Sequence, residues 1–200
     1  DLDVFPVDPR VSKVVEAQVK AFEEEGANIE EVKIGIGRPQ QELSDLWCRL
    51  IIPRNITGLD AAKAGGVDLL GDHHQDFPAE YLRWIAVGQH LSAVDFYKDQ
   101  EIRTEIYDAI QSVLNDYDLL VTPTLACLPV DNANDGNTVG PSEINGEQVD
   151  PLIGWCLTYL LNFTGHPAAS IPAGLSEGGL PVGMQIIGRR YADAEVLAAS

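Results

Sequence analysis

Gly174-Leu175-Ser176-Glu177-Gly178 has the G-x-S-x-G spacing that can present a serine at a sharp strand-to-helix turn for attack on a carbonyl carbon. That chemistry needs a general base and an orienting acid, which in such folds follow the serine in the chain. The last of the four histidines is His166, ahead of Ser176, and the residues after Ser176 read as a turn and a strand. Ser176 is therefore expected to be a turn residue. His73 and His74 in "GDHHQDF" stand among Asp72 and Asp76, types that ligate divalent metals, but adjacent histidines flanked by acids more often form a solvated loop, and no metal site is expected. Arg103 in "IRTEI" falls on the polar side of a helix, where an ion pair with Asp99 or Glu105 competes with a ligand contact. Trp155 and Tyr159 recur at i and i+4, which suits core packing or a pocket wall. Cys48, Cys127 and Cys156 are odd in number and widely spaced without C-x-x-C, so reduced thiols are expected. None of these groups forms a complete catalytic set.

The elements that must position them alternate between helix and strand. Val11, Val14, Val15, Val19 and Phe22 follow helical spacing after Pro9, Gly26 supplies a stop, and Ile29 to Ile36 alternates as a short strand. "EYLRWIAVGQHL" predicts a helix. Ser92 and Asp95 then resemble a capping box opening a second helix, with Ile102, Ile106, Ile110 and Val113 on its core face. "DLLVTPTL" predicts a short buried strand that Pro123 ends or pushes to an edge. Residues 126–150 read as a long loop, with Asn145-Gly146 as a tight hairpin turn. Asp150-Pro151 reads as N-cap and first residue of a helix over "PLIGWCLTYLLNFTG", apolar nearly all round and closed by Gly165. Strands are predicted around Ala169 to Ala173 and Gly183 to Ile187, and a final helix is predicted to be capped by Asp193.

Composition bounds the partners. With 45% hydrophobic residues in 200, the chain can bury a sizeable core. Its 31 acidic against 13 basic residues give a formal net charge of -18, which disfavours nucleic acid and anionic membrane surfaces. Salt adaptation is one reading of that surplus and simple solubility the other. No run of about 18 apolar residues and no signal-peptide layout is present, so a soluble, cytoplasmic protein is expected.

"YDLLVTPTL", "NFTGHPAASIPAG" and "GLPVGMQIIGRRYADAEVL", in that order, resemble the C-terminal half of the amidase signature family. "DVFPVDPRVSKVVEAQVKAFEEEGANIEEV" resembles the family's connecting strand and helix, and the likeness is weakest over residues 38–80. The resemblance implies an α/β fold, part of one mixed β-sheet flanked by helices, with residues 1–200 the C-terminal portion of a single amidase domain. It implies hydrolysis or transfer of a carboxamide acyl group by a serine assisted by a second serine and a lysine, without metal or organic cofactor. Those three residues belong to the N-terminal half, so no catalytic residue is expected here, and the chain alone is expected to be inactive.

Arg103 matches a position where the family's glutamine-dependent amidotransferase subunits hold the substrate carboxylate. Trp155 stands where those subunits carry an aspartate for the substrate amino group. Losing that aspartate points away from free glutamine and toward apolar or aromatic amides, with Arg103 and Trp155 as the expected substrate-binding residues. The expected partners are a small-molecule amide and the N-terminal half of the same amidase, with a homodimer left open. The alternative is a non-catalytic subunit or a degenerate ligand-binding protein derived from the same fold.

Overall fold

The computed structural model describes residues 1–200, which divide into two compact units: 1–41 with 103–200, and 42–102.

The larger unit begins with helix α1, Pro9–Glu24. Pro9 occupies the first turn, where its missing N–H costs nothing, and the Asp8 carboxylate accepts from Arg10 N at 2.8 Å. Gly26, at φ +96°, takes the left-handed conformation that ends the helix as expected. Val11 and Val15 are buried against Ala173, Val182, Met184 and Ile186, while Val14, Val19 and Phe22 pack around them. Most of those partners lie on strands β4, Ala168–Leu175, and β5, Pro181–Gly188. With β1, Leu119–Pro123, they form an antiparallel sheet in the order β1-β5-β4.

Pro123 is the last residue of β1, and β1 is an outer strand of this sheet, as its missing N–H requires. Central β5 buries polar as well as apolar side chains: Gln185 lies opposite Thr122 and donates to its Oγ1 at 3.2 Å. The alternating fold class read from the sequence is thus present, and every strand pairing within the chain is antiparallel.

The strand predicted over Ile29 to Ile36 is a correction. The segment has no ladder partner, although Ile34 and Ile36 are buried. A strand needs a neighbour to receive its N–H groups, and here the Asp3 carboxylate receives those of Ile34 and Gly35, at 2.7 and 2.9 Å.

The smaller unit is helical. It holds most of α2, Gln40–Ala64, then α3, Leu69–Asp72, a 3₁₀ turn at His74–Asp76, α4, Ala79–Gly88, and the start of α5, Ala93–Asp116. Cys48 and Ile52 of α2 pack with Trp84 and Ile85 of α4. Gly88 marks the close approach: a Cβ there would stand 2.7 Å from Ile52 Cγ2 and 2.8 Å from Ile56 Cδ1. The capping box forms reciprocally, Asp95 N donating to Ser92 Oγ at 3.1 Å and Ser92 N to Asp95 Oδ2 at 3.2 Å. Arg49 joins α2 to α5 through a forked pair with Asp99, with bonds of 2.9 and 3.0 Å and the carboxylate almost fully buried. No helix of the chain is long and apolar enough to cross a membrane.

Candidate functional site

Residues 126–165 carry Trp155 and Tyr159, and their local conformation follows from a few side chains. Asn145 and Gly146 both take positive φ, +51° and +84°, which is the two-residue turn joining β2, Glu143–Ile144, to β3, Glu147–Gln148. Asp150 acts as the expected cap, its Oδ1 accepting from Leu152 N at 2.8 Å and Ile153 N at 3.1 Å. The long helix predicted from Pro151 does not form. A single turn closes with Gly154 N donating to Asp150 O at 2.8 Å, and the helix proper, α6, covers only Tyr159–Thr164.

The interruption has a backbone cause. Trp155 O accepts from Ala126 N at 2.8 Å, Leu157 N donates to Thr124 O at 3.3 Å, and Leu125 and Cys156 form an antiparallel bridge. Those bonds consume groups that a continuous helix would need for itself. Gly165 then closes α6 at φ +67°, as read from the sequence.

Trp155 is therefore not on a helix. It is half-buried on the strap that enters α6, and its Nε1–H donates to the carbonyl of Pro151 at 3.1 Å. The same carbonyl accepts from Gly140 N at 2.8 Å. Tyr159, expected to share a face with Trp155, is instead fully buried in edge contact with Phe5 and Phe163.

Arg103 is half-buried on α5, and its Nε donates to the carbonyl of Phe163 in the last turn of α6. A guanidinium there satisfies a helix-terminal acceptor and meets the negative end of the helix dipole. The ion-pair partners considered for it are engaged elsewhere, Asp99 with Arg49 and Glu105 with Arg38 at 2.6 Å. Arg103 and Trp155 are thus tied to the two ends of one segment, residues 155–163.

Next to that segment lies a polar cluster that sequence reasoning missed. His166 is buried. Its Nδ1 is 2.8 Å from Thr164 Oγ1 and its Nε2 3.2 Å from Gln111 Oε1, and its ring stacks on Tyr107 at 5.3 Å. Burial, and secondarily the charge of Arg190, hold its pKa below the usual histidine value. The amide oxygen of Gln111 can only accept, so Nε2 is the donor to it, while the Thr164 hydroxyl beside Nδ1 also reaches the Leu161 carbonyl at 3.3 Å. A lone histidine in the sequence offered no signal of this, because Gln111 is 55 residues away.

The remaining candidates resolve locally. Ser176 sits in the turn between β4 and β5, its N–H donating to Leu180 O at 2.8 Å and its Oγ accepting from Leu180 N at 3.2 Å. This is a strand-turn-strand connection, so the elbow geometry is absent and the turn reading holds. His73 Nδ1 lies 3.1 Å from Asp76 Oδ2 across the 3₁₀ turn. The three cysteines are free thiols, and burial pushes Cys156 up to about 11. An apolar groove of about 500 Å³ runs between α1 and β4, walled by Val14, Ala17, Ala173 and Leu175, and it includes neither Arg103 nor Trp155.

The larger unit, with its antiparallel sheet flanked by helices, makes this an α/β protein. The amidase family model matches residues 1–197, and the chain belongs to that family. It is 32% identical over 205 residues to an acylamidase of Rhodococcus erythropolis, covering 98% of this chain and 39% of that protein. It is 28% identical over 208 residues to a glutamyl-tRNA(Gln) amidotransferase chain of Streptococcus pyogenes, covering 97% and 41%. Among solved structures, a bacterial aryl acylamidase of the amidase signature enzymes superposes with a TM-score of 0.95 at 46% identity, covering 99% of this chain and 40% of that one. The chain thus spans about two fifths of the length of the proteins it matches.

Proposed function

We propose that these residues are the C-terminal part of an amidase that hydrolyses the carboxamide bond of apolar or aromatic amides, supplying sheet and one wall of the substrate pocket. The observation that carries the reading is the 46% identity and TM-score of 0.95 to a bacterial aryl acylamidase over 99% of the chain. The expected nucleophilic serine, its partner serine and the activating lysine belong to the remainder of the protein. In that chemistry the serine oxygen adds to the amide carbon, the amine leaves with a proton, and water then cleaves the acyl ester. No organic cofactor or metal enters those steps, and the partner of this segment is the rest of the same polypeptide.

Within this reading Trp155 and Arg103 divide the work. The indole offers an apolar face to an aryl or acyl group, worth about 1–3 kcal/mol where it is desolvated. Arg103 positions the end of α6 through the Phe163 carbonyl and adds positive charge at that end of the wall.

Trp155→Ala in the full-length enzyme tests the assignment. The ratio of kcat/KM for an anilide to that for acetamide should fall about 5- to 150-fold, the equivalent of that contact energy. An equal loss on both substrates, with a matching fall in melting temperature, would show an indole that only packs the core.

A further inference from the structure

Gly140 is buried beside the half-buried Trp155, in a loop that the sequence marks only by its Gly-Pro pair. Its φ is not positive, so the glycine is not required by backbone conformation. Space requires it. A Cβ at position 140 would stand 2.5 Å from Trp155 Cε2 and closer still to Nε1 and Cδ1, where non-bonded carbons keep about 3.5 Å. The indole therefore lies directly on the main chain of residue 140.

One acceptor fixes both halves of that contact. The Pro151 carbonyl receives Gly140 N at 2.8 Å and Trp155 Nε1 at 3.1 Å, which closes a clamp around the pyrrole edge of the ring. The backbone of Trp155 is itself anchored by Ala126 N. Both the backbone of Trp155 and the pyrrole edge of its indole are thus held, leaving little rotamer freedom to lose on binding.

We propose that Gly140 is the positioning residue for Trp155, and that its missing side chain sets how the indole presents its face to an aromatic or apolar substrate group. The proposal rests on the reading of Trp155 as a pocket wall. Gly140 touches no reacting atom. It acts through the ring, so any side chain at 140 turns the indole out of its clamp and loosens selectivity without altering the chemical step directly.

Gly140→Ala, Trp155→Ala and the double variant, all made in the full-length enzyme, test this. Gly140→Ala should lower the anilide-to-acetamide ratio of kcat/KM by about tenfold, within the range for a lost apolar contact. It should also speed exchange of the Trp155 indole N–H, followed by NMR with ¹⁵N-labelled tryptophan, because the bond to Pro151 is broken. In the Trp155→Ala background the same methyl should change the ratio by less than about twofold, since the two residues act as one unit. That background also removes the clash, so the double variant should recover any melting temperature lost in Gly140→Ala.

A changed ratio in Trp155→Ala with no change of ratio in Gly140→Ala would overturn the positioning role alone. No change of ratio in Trp155→Ala would overturn the pocket reading and the selectivity claim with it. Unaltered indole exchange in Gly140→Ala would overturn the clamp whatever the kinetics showed.

Discussion

His166 shows how a residue with no motif acquires a consequence from its surroundings. Its ring lies between Thr164 Oγ1 and Gln111 Oε1, and burial followed by the Arg190 charge depresses its pKa in the fold. The unfolded chain, titrating near 6.5, takes up the proton more readily than the folded one. The contribution is therefore fully present above about pH 6.5 and is lost as pH falls through the folded pKa. Thermal melts should show stability falling as the pH drops below about 6.5, and the fall should be clearly smaller in His166→Gln. Parallel pH profiles for the two proteins would remove the histidine from the acid response. Ser176 makes the opposite point, since a catalytic-looking spacing resolves into a turn once its bonds to Leu180 are seen.

At the scale of elements, α5 depends on its first turn and on its tie to α2. Ser92 and Asp95 close two otherwise orphaned N–H groups, so Ser92→Ala should cost about 1 kcal/mol, read from denaturant unfolding. The Arg49–Asp99 pair matters more, because only 7% of the Asp99 side chain is exposed. Arg49→Met leaves that carboxylate without its partner and should destabilise by about 3 kcal/mol. A loss under about 0.5 kcal/mol would place the pair with ordinary surface bridges. The cap at Asp150 carries a different lesson: it forms in full, yet the turn it opens ends at Gly154. A cap nucleates a helix, and cross-chain bonds at Ala126 and Thr124 then decide whether the helix continues.

For the molecule as a whole, two outcomes separate the readings. The 200-residue chain should not turn over a simple amide, because the proposed nucleophile and lysine lie outside it. Turnover by the purified chain that survives in Ser176→Ala would overturn that assignment. The net charge of -18 gives the second outcome. Glu23, Glu24, Glu25, Glu30 and Glu31 are exposed acids close in sequence, and molar KCl screens repulsion between charges more than about 3 Å apart. A melting temperature that climbs with KCl supports salt adaptation, and a flat profile leaves the charge as a solubility feature.

Local signals in the sequence determined those elements whose stability is local. Helix α1 has its Asp8-Pro9 start, its buried valines and its Gly26 stop within one short stretch, and the Asn145-Gly146 turn needs only two residues able to take positive φ. The ordered blocks that resemble the amidase signature family were legible for the same reason, since each is a contiguous run. Helix α2 was missed in the region of weakest resemblance, where Pro53 lies inside the helix and reads as a breaker. Tertiary structure alone decided the rest. Whether Ile29 to Ile36 is a strand depends on a neighbour, whether residues 151–158 are a helix depends on Thr124 and Ala126, and the setting of Trp155 depends on Gly140. Each of those outcomes is fixed by a hydrogen-bond partner or a van der Waals contact remote in sequence, which no local propensity encodes.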